Sequence, residues 1–157
     1  MISSWAKLAC FETVVADITF IVDSRGKANV LDWQANKLQI PVASPLTGEA
    51  AAALEVYGRL VWIRDLVKDL MGKQEMPATI VNDSKSLEQA VRTTTSMKDK
   101  RAMVTISTLR RIPEAENISI VWCQGSERLA DVMTKPGVKP DRIRSILEQG
   151  QLDMLNC

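Results

Sequence analysis

The chain has 157 residues, 46% hydrophobic and 25% charged, with a formal net charge of +1. That composition fits one domain spanning 1–157 with a buried core, and it excludes a disordered, fibrous or strongly basic chain. No apolar run approaches the roughly 18 residues of a membrane span, so no membrane contact is expected.

No basic segment followed by an apolar one opens the sequence, so no secretory signal is expected. Cys10, Cys123 and Cys157 are odd in number and match no disulfide or zinc framework. The expected setting is therefore reducing and intracellular, cytoplasmic or nuclear. The sequence contains 0 histidines, which removes imidazole-based nucleophilic, acid/base and metal chemistry. Any catalysis must rest on carboxylates, cysteine, lysine or a metal.

In chain order, residues 4–11 predict a first strand and the β-branched run VVADITFIVD, 14–23, a second. SRGKAN forms a turn, and VLDW, 30–33, returns as a third strand. IPVASPLTG, 40–48, is a connector with two prolines. From Glu49 the period becomes 3.6, with Ala50, Ala53, Leu54, Tyr57, Val61, Leu66 and Leu70 on one face. That helix runs to about Met71 and stops at Gly72, and Gly58 inside it marks a weak point or a place of close packing.

PATIVND, 77–83, predicts a buried strand ending at Asp83, followed by a helix over 84–91 that Ser84 can cap. TTTSMKD is a polar connector. KRAMVTISTLRRI, 100–112, predicts a helix ended by Pro113, and NISIVWC, 117–123, a strand. SERLADVMTK, with Ser126 as its cap, and KPDRIRSILEQ, starting at Pro140, predict the last two helices. The order β-β-β-α-β-α-α-β-α-α implies an α/β fold: a mixed five-stranded sheet, three antiparallel strands then two parallel, with helices on both faces.

Three acids stand where such a sheet offers groups to a cleft. Glu49 opens the long helix, Asp83 closes a strand and Asp131 begins a late helix. Taken singly, each is a solvated cap or a partner of the helix dipole. Taken together, three carboxylates would repel one another unless cations neutralised them. Oxygen-only ligands suit Mg²⁺ or Mn²⁺, and two such ions can clamp a phosphodiester. Trp33, Trp62 and Trp122 lie within or beside apolar segments and are expected in the core rather than stacked on bases. Lys98, Lys100, Arg101, Arg110 and Arg111 make the surroundings of the third helix basic. They form either a phosphate-contacting surface or an ordinary solvated face.

Four blocks, in order, resemble the ribonuclease H domain at the end of copia-type LTR retrotransposon Pol polyproteins. They are LDWQANKLQIPVASPLTGEAAAALEVYGRLVWIRDL (31–66), DSKSL (83–87), DKR (99–101) and LADVMTK (129–135). The resemblance implies an RNase H-like fold. It also implies that Glu49, Asp83 and Asp131 belong to a four-carboxylate, two-metal site, with Mg²⁺ or Mn²⁺ as cofactor and an RNA–DNA hybrid as substrate. Lys98, Lys100 and Arg101 would contact the nucleic acid.

In that resemblance a first-strand Asp is expected three residues before a Trp, and MISSWAK puts Ile2 there. Asp17 and Asp23, near the start and end of the second strand, do not look central. Two functions follow. One is a domain descended from a two-metal endonuclease, its activity weak or lost. The other is a catalytically inactive, domesticated scaffold for a protein or RNA partner.

Overall fold

The structure is a computed structural model. It describes residues 2–7, 14–38, 42, 44–93, 100–123 and 129–152, giving the backbone alone for 2–7, 101 and 113–116. The strands are β1 (Ile2–Lys7), β2 (Val14–Val22), β3 (Ala28–Lys37), β4 (Ala78–Asn82) and β5 (Ile118–Trp122). The helices are α1 (Pro45–Met71), α2 (Lys85–Arg92), α3 (Lys100–Glu116), α4 (Asp131–Thr134) and α5 (Asp141–Gln149).

The strands lie in the order β3-β2-β1-β4-β5. The β3–β2 and β2–β1 pairs are antiparallel, and β1–β4 and β4–β5 are parallel. Because side chains alternate along a strand, β2 and β4 each feed two core layers. Val15, Ala78 and Ile80 join α1, α2 and α3 through Ala53, Val56, Leu60, Leu87, Ile106 and Leu109. Ala16, Ile18, Phe20 and Val81 pack instead with Leu129, Ala130, Ile146 and Leu152. Helices α1–α3 therefore cover one face and α4–α5 the other.

Several boundaries differ from those the sequence predicts. The first strand ends at Lys7, and the rest of 4–11 lies outside the described residues. The third strand extends to Lys37. Helix α1 begins at Pro45, not at Glu49. Ser44 caps it, its Oγ accepting from Thr47 N at 3.2 Å, and Pro45 has no N–H to leave unsatisfied in the first turn. What read as a proline connector is thus a helix start. At the other end Gly72, at φ 62°, closes α1 in the left-handed conformation, with Lys73 N donating to Lys68 O at 3.0 Å.

Helix α3 runs through Pro113 and stops at Asn117, which adopts φ 52°. The predicted helix over 126–135 is a single turn, Asp131–Thr134, and its proposed cap Ser126 lies outside the described residues. Helix α5 begins after Pro140 and ends at Gly150.

The apolar face of α1 also differs. Ala50, Ala53, Val56, Leu60 and Ile63 are buried, whereas Leu66 and Leu70 are 46% and 77% exposed. Trp33 and Trp62 are not core residues, at 67% and 66% exposed. Trp33 stands on the α4–α5 face, where it helps line an apolar groove of about 350 Å³ with Val132, Met133, Ile143 and Leu147.

Candidate functional site

The junction after β4 is tied together by hydrogen bonds. Asn82 Nδ2 donates to Val121 O at 3.0 Å, and Cys123 N donates to Asn82 O at 2.7 Å. Asn82 Oδ1 accepts from Ser84 N at 2.9 Å, turning the chain out of the sheet. Ser84 Oγ then caps α2 by accepting from Leu87 N at 3.1 Å, as its sequence position predicts. Trp122 Nε1 donates to Asp83 O at 3.0 Å, and Lys85 Nζ lies 5.8 Å from the Trp122 ring centroid. Trp122 is thus half-buried and anchored to the backbone of this turn.

Glu49 reaches the same junction. It sits one turn into α1, and its Oε2 accepts from the hydroxyl of Ser84, with Ser86 Oγ at 3.5 Å. Helix α1 and the β4–α2 turn therefore bring Glu49 beside the Asp83–Ser84 step. Asp131 arrives from elsewhere. It is the first residue of α4, whose neighbours Leu129, Ala130 and Met133 belong to the core layer on the sheet face away from α1. Asp131 is 7% exposed, and its Oδ2 accepts from Lys135 Nζ at 2.8 Å, one helical turn on.

Among the described residues, no three Cys, Asp or Glu side chains are placed to hold a metal ion. The trio Glu49, Asp83 and Asp131, predicted to share Mg²⁺ or Mn²⁺, is not a preformed metal centre. Glu49 Oε2 is engaged by serine hydroxyls and Asp131 Oδ2 by an ammonium.

Strand register gives the level of β1 beside this junction. Ile2 pairs with Thr79 and Ser4 with Val81 in the parallel β1–β4 ladder. At about 3.3 Å per residue, Ile2 lies roughly 13 Å short of the level of Asp83. Continuing the ladder puts Trp5 level with Asn82, and Trp5 in turn pairs with Asp17 on β2. The acid the strands bring to this row is Asp17, which sequence position alone made peripheral.

Asp17 is fully buried beneath α1, 0% exposed, on the Val15 side of β2 and opposite Gln34. Burial pushes its carboxyl up from the ordinary 3.8 to about 6. Gln34 lies close enough to lower it without a hydrogen bond of ordinary geometry, and the Arg59 guanidinium also lowers it, while Asp32 and Glu55 raise it. Arg59 pairs with Asp32 and donates to Gln34 Oε1 at 2.7 Å. The signal in the sequence was a lone acid inside a β-branched run. Asp23, by contrast, shapes the β2–β3 turn: its Oδ1 accepts from Arg25 N and Lys27 N at 2.8 and 2.9 Å, which lowers its pKa.

Of the basic residues, Lys100 is exposed at the start of α3, whereas Lys98 and the side chain of Arg101 lie outside the described residues. Arg110 is structural. Its guanidinium donates to Ala90 O at 2.7 Å and to Thr93 O, tying α3 to the end of α2.

No family model matches the chain, and no curated protein matches its sequence. Solved structures do match in shape. RNase H1 from the halophilic archaeon Halobacterium salinarum superposes with a TM-score of 0.55 at 14% identity, covering 83% of this chain and 91% of that one. The fold is RNase H-like. LC11-RNase H1, isolated from compost by a metagenomic approach, gives 0.56 at 12% identity over 96% and 94% of the two chains. The same enzyme in complex with an RNA/DNA hybrid gives 0.56 at 13% identity over 83% and 91%.

Proposed function

We propose that this RNase H-like domain descends from a retroelement Pol nuclease that cut the RNA strand of RNA–DNA hybrids, and that its cleavage is weak or lost. One observation carries the reading: β1, ISSWAK, brings no carboxylate to the centre of the sheet. The engagement of Asp131 by Lys135 and of Glu49 by Ser84 points the same way. A two-metal reaction needs oxygen ligands for both ions.

A labelled RNA–DNA hybrid incubated with the chain and Mg²⁺ or Mn²⁺ is expected to stay intact. Ile2→Asp is expected to leave it intact as well, because residue 2 lies well below the level of Asp83. Metal-dependent cleavage by the unmodified chain would overturn the proposal. The scaffold reading, with a protein or RNA partner, is favoured by one specific feature: the Asp131 carboxylate is paired with the Lys135 ammonium within the chain. Retarded migration of uncut hybrid or RNA in a gel-shift assay supports nucleic acid as that partner.

A further inference from the structure

Among the described residues, Asp17 is the carboxylate with both oxygens buried and without a hydrogen bond of ordinary geometry. The charged groups that face it are Asp32 from β3 and Arg59 and Glu55 from α1. The strand register sets Gln34 of β3 on one side of it and Trp5 of β1 on the other.

Arg59 is already in use, but not by Asp17. Its Nε donates to Asp32 Oδ2 and its Nη1 to Gln34 Oε1 at 2.7 Å. Gln34 Oε1 also accepts from Asn36 Nδ2 at 2.8 Å. Asp32 and Gln34 stand two residues apart on one face of β3, so the guanidinium lies along that strand. Asp17 pairs directly with Gln34, and neighbouring strands run about 4.8 Å apart. The guanidinium is therefore roughly one strand spacing from a carboxyl it does not bond, within the swing of an arginine side chain.

The two acids compete unequally for that cation. The side chains of Arg59 and Asp32 are 36% and 25% exposed, so water can solvate Asp32 if its partner leaves. Asp17 is 0% exposed and has no such recourse. A buried charge without a donor costs far more than a charge half in water. While Asp17 is protonated it makes no claim, and Arg59 rests on Asp32. Once Asp17 ionises, the guanidinium gains more by turning inward than it loses by leaving Asp32 to water. Glu55 is exposed one helical turn before Arg59, and it adds negative charge without offering Asp17 a donor.

We propose that Arg59 is a proton-operated latch, tying α1 to the edge strand β3 through Asp32 while Asp17 is protonated, and turning inward to Asp17 when that carboxyl ionises. One cation then serves two acids in turn. The Asp32 pair is lost in the exchange, so ionising Asp17 still costs stability. Burial, with Asp32 and Glu55 adding to it, raises the Asp17 carboxyl to about 6, which puts the exchange between mildly acidic and neutral pH.

The test is a double-mutant cycle on the full chain: Arg59→Gln, Asp32→Asn and both together, each unfolded in urea at about pH 5 and about pH 7.5. Circular dichroism confirms that each variant is folded. The Arg59–Asp32 coupling is expected to be about fivefold in the folding equilibrium constant at the lower pH and under about twofold at the higher. In an Asp17→Asn background the coupling should persist at both. A fixed ion pair predicts the opposite trend, holding or strengthening as pH rises. A second readout needs no variant: the Arg59 Nε–H signal in NMR should shift with the same midpoint as the Asp17 carboxyl carbon. A coupling that holds or grows at the higher pH overturns the proposal, as does one absent at both. So does an Asp17→Asn background that fails to restore it, or an Arg59 signal that stays put while Asp17 titrates.

Discussion

Asp17→Asn should stabilise the protein at neutral pH and leave it nearly unchanged in acid. The carboxyl is fully buried, and its pKa rises from 3.8 to about 6 on folding, chiefly through burial. Between those two values the folded chain holds a proton that the unfolded chain has released. Stability from this group is therefore fully present below about pH 4 and falls as pH rises through about 6. At ~1.36 kcal/mol per pH unit, the difference between 3.8 and about 6 amounts to ~3 kcal/mol at neutral pH. That is a large share of a typical domain stability of about 5–15 kcal/mol.

Asparagine fills the same space and carries no charge to desolvate, while Arg59 keeps its partner Asp32. The measurement is urea unfolding of both proteins from about pH 4 to about pH 7.5, compared as the difference in midpoint times slope. Other carboxylates titrate in the same window, but they are common to both proteins and cancel in the difference. The advantage of the variant should be near zero at the acid end and grow to a few kcal/mol above about pH 6. A difference that stays flat with pH, or an asparagine variant less stable at neutral pH, would refute the reasoning. Either result would mean that Arg59 and Gln34 hold the ionised carboxylate well enough to offset its burial.

Three further outcomes are expected. Ser84→Ala should cost about 1–2 kcal/mol in chemical denaturation, since it removes the cap of α2 and a hydroxyl that Glu49 accepts from. Gly72→Ala should cost about 1 kcal/mol, because the left-handed conformation there is strained for any residue with a Cβ, although the space around it is open. Millimolar Mn²⁺ should leave the melting temperature unchanged within error, as no three described carboxylates share a site; a clear upward shift would show a metal bound to the folded state.

Much of the architecture was legible because it rests on local signals. The β-branched run of β2, the apolar period of α1 and the Ser84 cap each follow from a few neighbouring residues. Ser44 and Pro45 were legible in principle, as a cap followed by a first-turn proline, but a second proline nearby made the segment look like a connector. The site was less legible. Glu49 does reach the Asp83–Ser84 step, as strand-end and helix-start positions suggest. That Asp131 is engaged by Lys135 could have been anticipated from their spacing of four within a helix. The burial of Asp17 could not, because it depends on which strands flank β2 and where α1 crosses the sheet. Leu66 and Leu70 share the apolar period of α1, yet they lie past the point where the helix leaves its own core. Period alone cannot say where a neighbouring surface ends.

The segment following α5 is laced to the β2–β3 turn: Ala28 N donates to Gly150 O at 2.9 Å, Leu152 N donates to Gly26 O at 3.0 Å, and Lys27 bridges Gln151. Helix α5 is only nine residues long, too short to persist without its packing. Its anchorage among the described residues includes Ile143, Ile146, Leu152 and these few bonds, so the helix and the lacing are expected to open together. The amides of Ala28 and Leu152, far apart in sequence, should then exchange with deuterium at the same rate as those within α5. That rate should be faster than in the β2 core beneath, making the last helix a separately opening unit on an otherwise slow-exchanging sheet.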